Sequence, residues 1–289
     1  MSIRRNRMNP PKFHRSQLKF YAFLIPMAIF MGLPIVFIFN HAFKPMDELF
    51  AFPPRFFVVH PTLDNFRNLL TTSRSSAIPV SRFAFNSIVV TLLVVIASVI
   101  LSSMAGFALS KMNFKGKHLI FEINNAALMF VPIAVTIPRY LTIDILGITN
   151  TYWAHILPLL SMPIGLFLIK QFIDQIPDSL IEAAVIDGAT EVNLYFTIIL
   201  PLVRPALATA AILAFQAVWN NLESSSLFVT NESLRTLAFY MNTLASNTGI
   251  VAGQGMAAAA TLIMFLPNLI LFIILQSKVM NTMAHSGIK

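Results

Sequence analysis

Long apolar stretches that carry almost no charge limit the fold of this chain more than any other feature. Of the 289 residues, 56% are hydrophobic and only 11% are charged, and the mean hydropathy is +0.74. A helix of about 20 apolar residues crosses the hydrocarbon core of a bilayer and satisfies its own backbone hydrogen bonds there. The sequence therefore predicts an all-α, polytopic membrane protein with six transmembrane helices, at about 20–43, 83–109, 118–138, 152–172, 202–221 and 256–276.

Positive charges gather at the ends of these runs and indicate the orientation of the chain. Residues 1–19 hold six Lys or Arg and no acid, which predicts a basic cytoplasmic arm. The run after this arm is too long for a cleaved signal peptide, and no small-residue cleavage site follows it. One short loop contains Lys111, Lys115 and Lys117, whereas the next contains only Arg139, so both termini are expected in the cytoplasm. No basic face forms, and we expect no nucleic-acid partner.

Several kinds of chemistry lack the residues that they need. Cysteine is absent, which excludes disulfides and thiolate chemistry. The phosphate-binding pattern of ATPases is missing, since Gly116-Lys117-His118 lacks both the upstream glycine and the Ser or Thr. The histidines are scattered rather than spaced as metal ligands. We therefore expect no enzyme activity, no metal and no cofactor on this chain.

One polar stretch, residues 174–201, interrupts the apolar pattern between the fourth and fifth runs. Charges cost about 2.5–3.5 kcal/mol each at a helix centre in the bilayer, so this stretch should lie in water beside the membrane. Ser179 and Glu182 have capping-box spacing, Gly188 suits a helix end, and Thr190 suits the start of a second helix at 191–199. The pattern predicts two short helices joined at a glycine. Its acids are Asp174, Asp178, Glu182, Asp187 and Glu191.

This stretch resembles the EAA motif of permease subunits of ATP-binding-cassette importers that depend on a binding protein. The resemblance rests on Glu182-Ala183-Ala184, on Asp187-Gly188-Ala189, and on the later Phe196, Leu200-Pro201 and Pro205. It implies that the 174–201 stretch is a cytoplasmic coupling loop, which docks into a cleft on a separate ATPase. The alternative is a surface amphipathic hairpin with no special role.

The same resemblance implies a complex and a location. The partners would be a second, non-identical permease, two ATP-binding-cassette ATPase subunits, an extracytoplasmic solute-binding protein and membrane lipid. ATP and Mg²⁺ would bind to the partner ATPase. The location would be the cytoplasmic (inner) membrane of a bacterial cell.

Other segments resemble the sugar-importing branch of that family. They are 62–66 (TLDNF), 83–91 (FAFNSIVVT), 147–152 (GITNTY), Trp219-Asn220 and the tail from Gln276, which ends in Gly287 and Lys289. Ser277 stands where arginine is common in the family. The expected cargo is an oligosaccharide or a sugar derivative; the alternatives are a permease for a non-sugar solute, an ion-coupled secondary transporter, and a membrane scaffold.

Candidate pathway residues are Asn124, Asn125, Trp219 and Asn220. The two asparagines in the third run suit either contacts between helices or contacts with substrate. Trp219 suits either an aromatic anchor at the membrane interface or stacking on a sugar ring. Glu122 could lie at the membrane edge, pair with a buried charge or line the pathway.

The connections between runs are predicted mainly as loops. Residues 44–82 and 223–255 read as long extracytoplasmic segments, with a short interfacial helix at 234–244 and a flexible return at Gly249, Gly253 and Gly255. Residues 139–151 read as a short loop. Prolines at 158 and 163 are expected to interrupt the fourth run.

Overall fold

The computed structural model describes residues 17–74, 78–247 and 253–286, and every regular element in these ranges is helical. The basic arm up to residue 16, Gly249, Gly287 and Lys289 lie outside the described residues. The α-helices in chain order are α1 (Leu18–Phe43), α2 (Met46–Leu49), α3 (Asp64–Arg74), α4 (Val80–Lys111), α5 (Lys117–Met129), α6 (Thr136–Ile145), α7 (Trp153–Leu160), α8 (Pro163–Asp174), α9 (Asp178–Ile186), α10 (Glu191–Leu194), α11 (Leu200–Leu202), α12 (Arg204–Trp219), α13 (Leu237–Asn247) and α14 (Gly253–Ser286).

By length and composition, the described residues provide up to six membrane spans. Three are single helices, α1, α4 and the part of α14 from Gln254 to Gln276. Three more are bent pairs, α5 with Pro132–Ile145, α7 with α8, and Glu191–Leu202 with α12. The predicted all-α fold with several apolar helices is confirmed.

The third span differs most from its prediction. Its helix ends at Met129, nine residues before the predicted end, and the chain bends by 110° before α6. Val131 is extended (φ −71°, ψ 128°) because the Pro132 ring disfavours helical geometry in the residue before it. A 3₁₀ turn, Pro132–Val135, then leads into α6. The predicted loop at 139–151 is therefore wrong in its first half, which is helical.

Of the two prolines expected to interrupt the fourth span, only Pro163 lies at the break. Pro158 remains inside α7, whereas Pro163 begins α8 after a 40° bend at Ser161 and Met162. A proline in the first turn of a helix costs little because its missing N–H would be unpaired there.

The segment predicted as a flexible return between the last two spans is partly ordered helix. α13 begins at Leu237, three residues after the predicted start, and α14 already begins at Gly253. Gly255 is buried against Asn65, where an added Cβ would lie 2.3 Å from Asn65 Oδ1. The glycine at 255 therefore permits close helix packing rather than flexibility.

Buried hydrogen bonds tie the chain between α12 and α13 to the bundle. Asn86 on α4 is fully buried and donates to the backbone oxygens of Ser233 (2.8 Å) and Arg235 (2.9 Å). The Tyr152 hydroxyl donates to Asn86 Oδ1 at 2.7 Å. This connection is packed against two spans instead of forming a free loop.

The bundle has two distinct ends. At the first, which we call the elbow end, Lys111 at the end of α4 contacts Asp178 at the start of α9. At the second, the loop end, α3 packs against the start of α14, and the chain between α1 and α3 forms a loop that returns to the end of α1. Since spans alternate in direction, α1 begins (Leu18) and α14 ends (Ser286) at the elbow end.

Candidate functional site: an exposed elbow at one end of the bundle

The elbow consists of α9, α10 and the turn Tyr195–Ile199 that follows α10. Its two helices are joined at Gly188, and its shape comes from local hydrogen bonds. Gly188 has φ +84°, a left-handed conformation that glycine adopts without a Cβ clash. Its N–H donates to Val185 O (3.0 Å), and the Ala189 N–H donates to Ala184 O (2.9 Å). This pair of bonds is the Schellman termination of a helix. The predicted helix–glycine–helix arrangement is therefore present.

Capping at the two helix starts agrees only in part with the sequence prediction. Thr190 is the N-cap of α10, and its hydroxyl accepts from the Asn193 N–H at 3.3 Å. The capping box at Ser179 and Glu182 is wrong, because α9 begins at Asp178 after Pro177 and no side chain caps it. Pro177 fixes the start of the helix and removes the need for a paired N–H at that position.

The second helix of the elbow is not uniform. After α10 the chain forms a π-helical turn, Tyr195–Ile199, and the short α11 before it bends by 79° into α12. The buried Tyr195 hydroxyl lies 2.6 Å from Ser103 Oγ on α4. Wide turns of this kind re-aim side chains within a helix, and this one directs Tyr195 into the bundle.

One side of the elbow is built into the core. Leu194, Tyr195 and Ile199 pack with Ile169 and Ile173 of α8, and the same cluster reaches α4 and α12. The elbow is therefore packed against three spans in one continuous cluster.

Lys111 holds the base of the elbow. Its ammonium, on a side chain only 8% exposed, donates to Ile176 O and to Asp178 Oδ1, both at 2.6 Å. The Lys111 hydrogen bond and charge lower the pKa of Asp178, which is 78% exposed. The sequence assigned Lys111 only an orientation role; a basic residue at a helix end beside an acid-rich stretch was the available signal for this contact.

The outer side of the elbow is exposed and mixed in character. Ile186 is 86% exposed, and the other exposed apolar side chains are Leu180, Val185, Val192 and Phe196. Among the described residues, the carboxylates of Glu182, Asp187 and Glu191 have no hydrogen-bond or ion-pair partner. Exposed apolar groups rimmed by polar ones mark an interaction surface. Behind it lies a cavity of about 590 Å³ between the elbow and Phe107, Asn113 and Phe114.

The EAA residues divide between the two sides of the elbow. Ala184 and Ala189 are half-buried and partner each other in the Schellman bond, whereas Glu182, Ala183, Asp187 and Gly188 are exposed. The EAA residues thus have two parts: Ala184 and Ala189 end the helix, and the carboxylates of Glu182 and Asp187 are accessible on the surface.

The four candidate pathway residues do not meet in one place. Asn124 donates to Pro163 O (3.2 Å), which joins α5 to α8, and the buried Asn125 Oδ1 has no partner among the described residues. Asn124 borders a cavity of about 390 Å³, and Asn220 borders a different one of about 220 Å³ beside α13 and α14. Their contact with substrate stays a prediction.

Trp219 lies neither at the membrane interface nor on an open sugar-stacking surface, the two positions that its sequence context suggested. The indole is 8% exposed, packs on Phe215 with ring centroids 5.6 Å apart, and donates to Met264 O at 3.1 Å. It joins α12 to α14 instead of facing the membrane interface or an open cavity.

Polar residues on α14 were missed by the sequence reasoning. Thr261 borders the cavity at Asn220, together with Asn242 of α13, and Asn268 Nδ2 lies 3.4 Å from Asn220 Oδ1. Positions 254, 261 and 268 are Gln, Thr and Asn, seven residues apart, which places them along one helix face. This interval was the signal that could have found them.

Two charged residues remain from the sequence analysis. Glu122 is exposed and has no partner among the described residues, so the hypothesis of a buried charge pair within this chain is not supported. Arg139 pairs with Glu223 at 2.8 Å and ties α6 to the chain after α12. Within the described residues, no three potential metal ligands lie together.

Among the described residues, up to six apolar spans and an exposed elbow at one end give the architecture of a membrane-embedded helical subunit. Residues 20–277 match the family described as the inner membrane component of binding-protein-dependent transport systems. The chain belongs to this family, which confirms the sequence resemblance.

Relatives and a solved structure agree with this assignment. The sulfoquinovosyl glycerol transport system permease protein SmoH of Agrobacterium fabrum is 30% identical, and the match covers 89% of this chain and 88% of that protein. The arabinooligosaccharides transport system permease protein AraQ of Halalkalibacterium halodurans is also 30% identical, over 93% and 94%. A chain in the crystal structure of a bacterial ABC transporter that imports the acidic polysaccharide alginate has the same fold, with a TM-score of 0.78, 20% identity, and 93% and 99% coverage.

Proposed function

We propose that this chain is a permease subunit of an ATP-driven importer, forms half of the translocation pathway for a carbohydrate, and couples it to a separate ATPase through the elbow. The observation that carries the proposal is the two-sided elbow, which is fixed to α4, α8 and α12 on one side and exposed on the other. The names of SmoH and AraQ, both carriers of sugar compounds, support a carbohydrate cargo.

The proposed membrane is the bacterial cytoplasmic membrane, with both termini and the elbow on the cytoplasmic side. Lys111, Lys117 and Lys170 all lie at the elbow end, which agrees with the rule that short cytoplasmic loops are rich in Lys and Arg. The acids of the elbow do not oppose this orientation, because acidic residues contribute little to the rule.

The proposed partners are a second, non-identical permease, two ATPase subunits that hold ATP and Mg²⁺, and an extracytoplasmic binding protein. Ile186 and Phe196 would enter an apolar cleft of the ATPase, and the unpaired carboxylates of Glu182 and Asp187 would meet basic side chains there. Closure of the ATPase dimer would move the elbow, and Lys111 with the core cluster would carry that movement into the spans.

The proposed pathway surface is the polar face formed by Asn220, Asn242, Thr261 and Asn268. Polar side chains within spans are costly against lipid and face the bundle interior or an aqueous cavity. Amides and a hydroxyl can both donate to and accept from sugar hydroxyls. Asn220, Asn242 and Thr261 also border a cavity of about 220 Å³, so this face has free space beside it.

The test of the proposed function is co-purification of the tagged chain from its native host, with uptake measured in the same cells. We expect a Walker-motif ATPase to co-purify and Ile186→Asp to remove both the ATPase and ATP-dependent uptake. Leu63→Asp places the same charge at an exposed apolar position of the loop end and should leave both unchanged. Uptake that continues without any ATPase would favour an ion-coupled transporter and overturn the proposal.

A further inference from the structure

Residues 44–62 form a closed loop that follows α1 at the loop end of the bundle. We call this segment the Phe52 loop. The Thr62 N–H donates to Phe43 O at 2.8 Å, so the chain returns to the point where α1 ends. Asn65 fixes the same point, since its amide donates to Ala42 O (3.0 Å) and Lys44 O (2.8 Å). Loops with closed ends and internal packing are compact and frequently functional.

Two buried charges give the Phe52 loop a fixed shape. Lys44 is 2% exposed, and its ammonium donates to Arg55 O. Glu48 is also buried and accepts from the N–H groups of Val59 (2.9 Å) and His60 (2.8 Å). Burial of charges is costly unless hydrogen bonds compensate it, and here backbone groups of the loop do so. The tip between these anchors is therefore held in one conformation.

The tip presents aromatic side chains to the surroundings. Phe52 is 95% exposed, and Phe50, Phe56 and Phe57 are also exposed. The ten residues 50–59 (FAFPPRFFVV) contain a single charge, Arg55. An exposed apolar patch of this kind marks a surface that contacts a membrane or another protein.

The tip continues the apolar surface of α1. The Phe56 ring lies 5.9 Å from that of Phe37 on α1, centroid to centroid. α1 is a span whose apolar window has no buried residue within this chain, and Phe37 belongs to that exposed surface. Apolar surface therefore extends without a break from the span to the loop.

We propose that the Phe52 loop anchors this end of the bundle in the lipid, with Phe52 and Phe57 among the headgroups and upper acyl chains. Arg55, also exposed, lies between them in sequence and would reach lipid phosphate groups. The partner is thus a lipid surface in the leaflet opposite the elbow. This inference rests on the membrane spans and not on the cargo or the ATPase.

The test uses single-cysteine variants, which are straightforward because the chain has no cysteine. Phe52→Cys is labelled with an environment-sensitive fluorophore, and the purified complex is reconstituted in vesicles that contain spin-labelled lipids. Asn68→Cys, at an exposed polar position of α3, is the matched control. We expect spin-labelled lipids to quench the label at 52 severalfold more than the label at 68, and aqueous iodide to do the reverse.

Two outcomes would overturn the proposal. One is quenching by iodide that is equal at positions 52 and 68, which would place the tip in water. The other is protection at 52 that is absent in vesicles and develops only when the binding protein is added, which would identify a protein partner instead of lipid. Glu48→Ala tests the anchor: release of the loop should reduce lipid quenching at 52 without altering the apolar residues of the tip.

Discussion

Gly188 shows at the scale of one residue how the motif produces the elbow. Apart from Gly188 itself and its two chain neighbours, no atom lies within 4 Å of a Cβ built on this glycine, so space does not explain its presence. The reason is conformational, since φ is +84° and the Schellman bonds of Gly188 and Ala189 require that angle. A larger residue at 188 would fit sterically and still disfavour the turn.

We predict that Gly188→Val straightens or unfolds the elbow and abolishes ATP-dependent uptake. A left-handed conformation costs an L-residue about 1–2 kcal/mol, and β-branching increases the penalty. Gly188→Asn is the control, because asparagine tolerates this region, and it should retain most uptake. Normal uptake and normal ATPase co-purification in the valine variant would contradict the prediction.

Lys111 and Asp178 have unequal effects on the elbow although they form one ion pair. We predict that Lys111→Met lowers the thermal stability of the detergent-purified complex, because a hydrogen bond from a charged group to the buried Ile176 carbonyl contributes about 1.5–3 kcal/mol. Asp178→Asn should have a much smaller effect, since the carboxylate is mostly in water. Equal losses in the two variants would contradict this prediction.

The lowered pKa of Asp178 gives the pair a defined pH dependence. Because the folded pKa lies below its ordinary value of 3.8, the pair stabilises the elbow above that pH. Its contribution is lost as the pH falls through the lowered pKa. Protease cleavage within the elbow should therefore increase in acid for the wild type, and the increase should be smaller for Asp178→Asn.

At the scale of elements, α4 and α8 pack closely against each other at Gly106. A Cβ on Gly106 would lie 3.4 Å from both Ile169 Cγ2 and the backbone nitrogen of Lys170. Gly106 therefore lies at a helix–helix contact, where a small residue lets two backbones approach closely.

We predict that Gly106→Leu destabilises the bundle by about 1–3 kcal/mol or more, as overpacked cores do. Ala105→Leu is the matched control, because Ala105 faces the cavity of about 390 Å³ beside α7 and α8. Thermal unfolding in detergent should separate the two variants. An equal loss of thermal stability in both variants would contradict the prediction, because it would show that the α4–α8 contact is no more sensitive to added volume than the cavity.

For the whole molecule, the two ends of the bundle should lie on opposite sides of the membrane. We predict that a membrane-impermeant maleimide labels Asn68→Cys in spheroplasts and labels Ile186→Cys only in inside-out vesicles. Both positions are exposed on this chain, so access depends on sidedness once the proposed ATPase has been stripped from the vesicles. The reverse pattern would place the elbow outside and contradict the coupling role.

The sequence predicted the helical spans more successfully than their ends and angles. The apolar runs at 20–43 and 83–109 lie within α1 and α4, because transfer of apolar side chains from water depends only on the local composition. The sequence reasoning did not predict α6, which follows the bend at Pro132, and it wrongly predicted a capping box at Ser179, where Pro177 precedes the helix instead. The sequence identified Asn220 as a candidate but missed its neighbour Asn268, because the two residues lie 48 positions apart.

The sequence by itself determined the class of protein, the spans and the glycine turn of the elbow, since these follow from solvation and from hydrogen bonds within a few residues. Only the tertiary structure decided that Lys111 holds Ile176 and Asp178, that Trp219 is buried, and that the Phe52 loop continues the surface of α1. Those contacts depend on which helices become neighbours, and packing between distant segments sets that outcome.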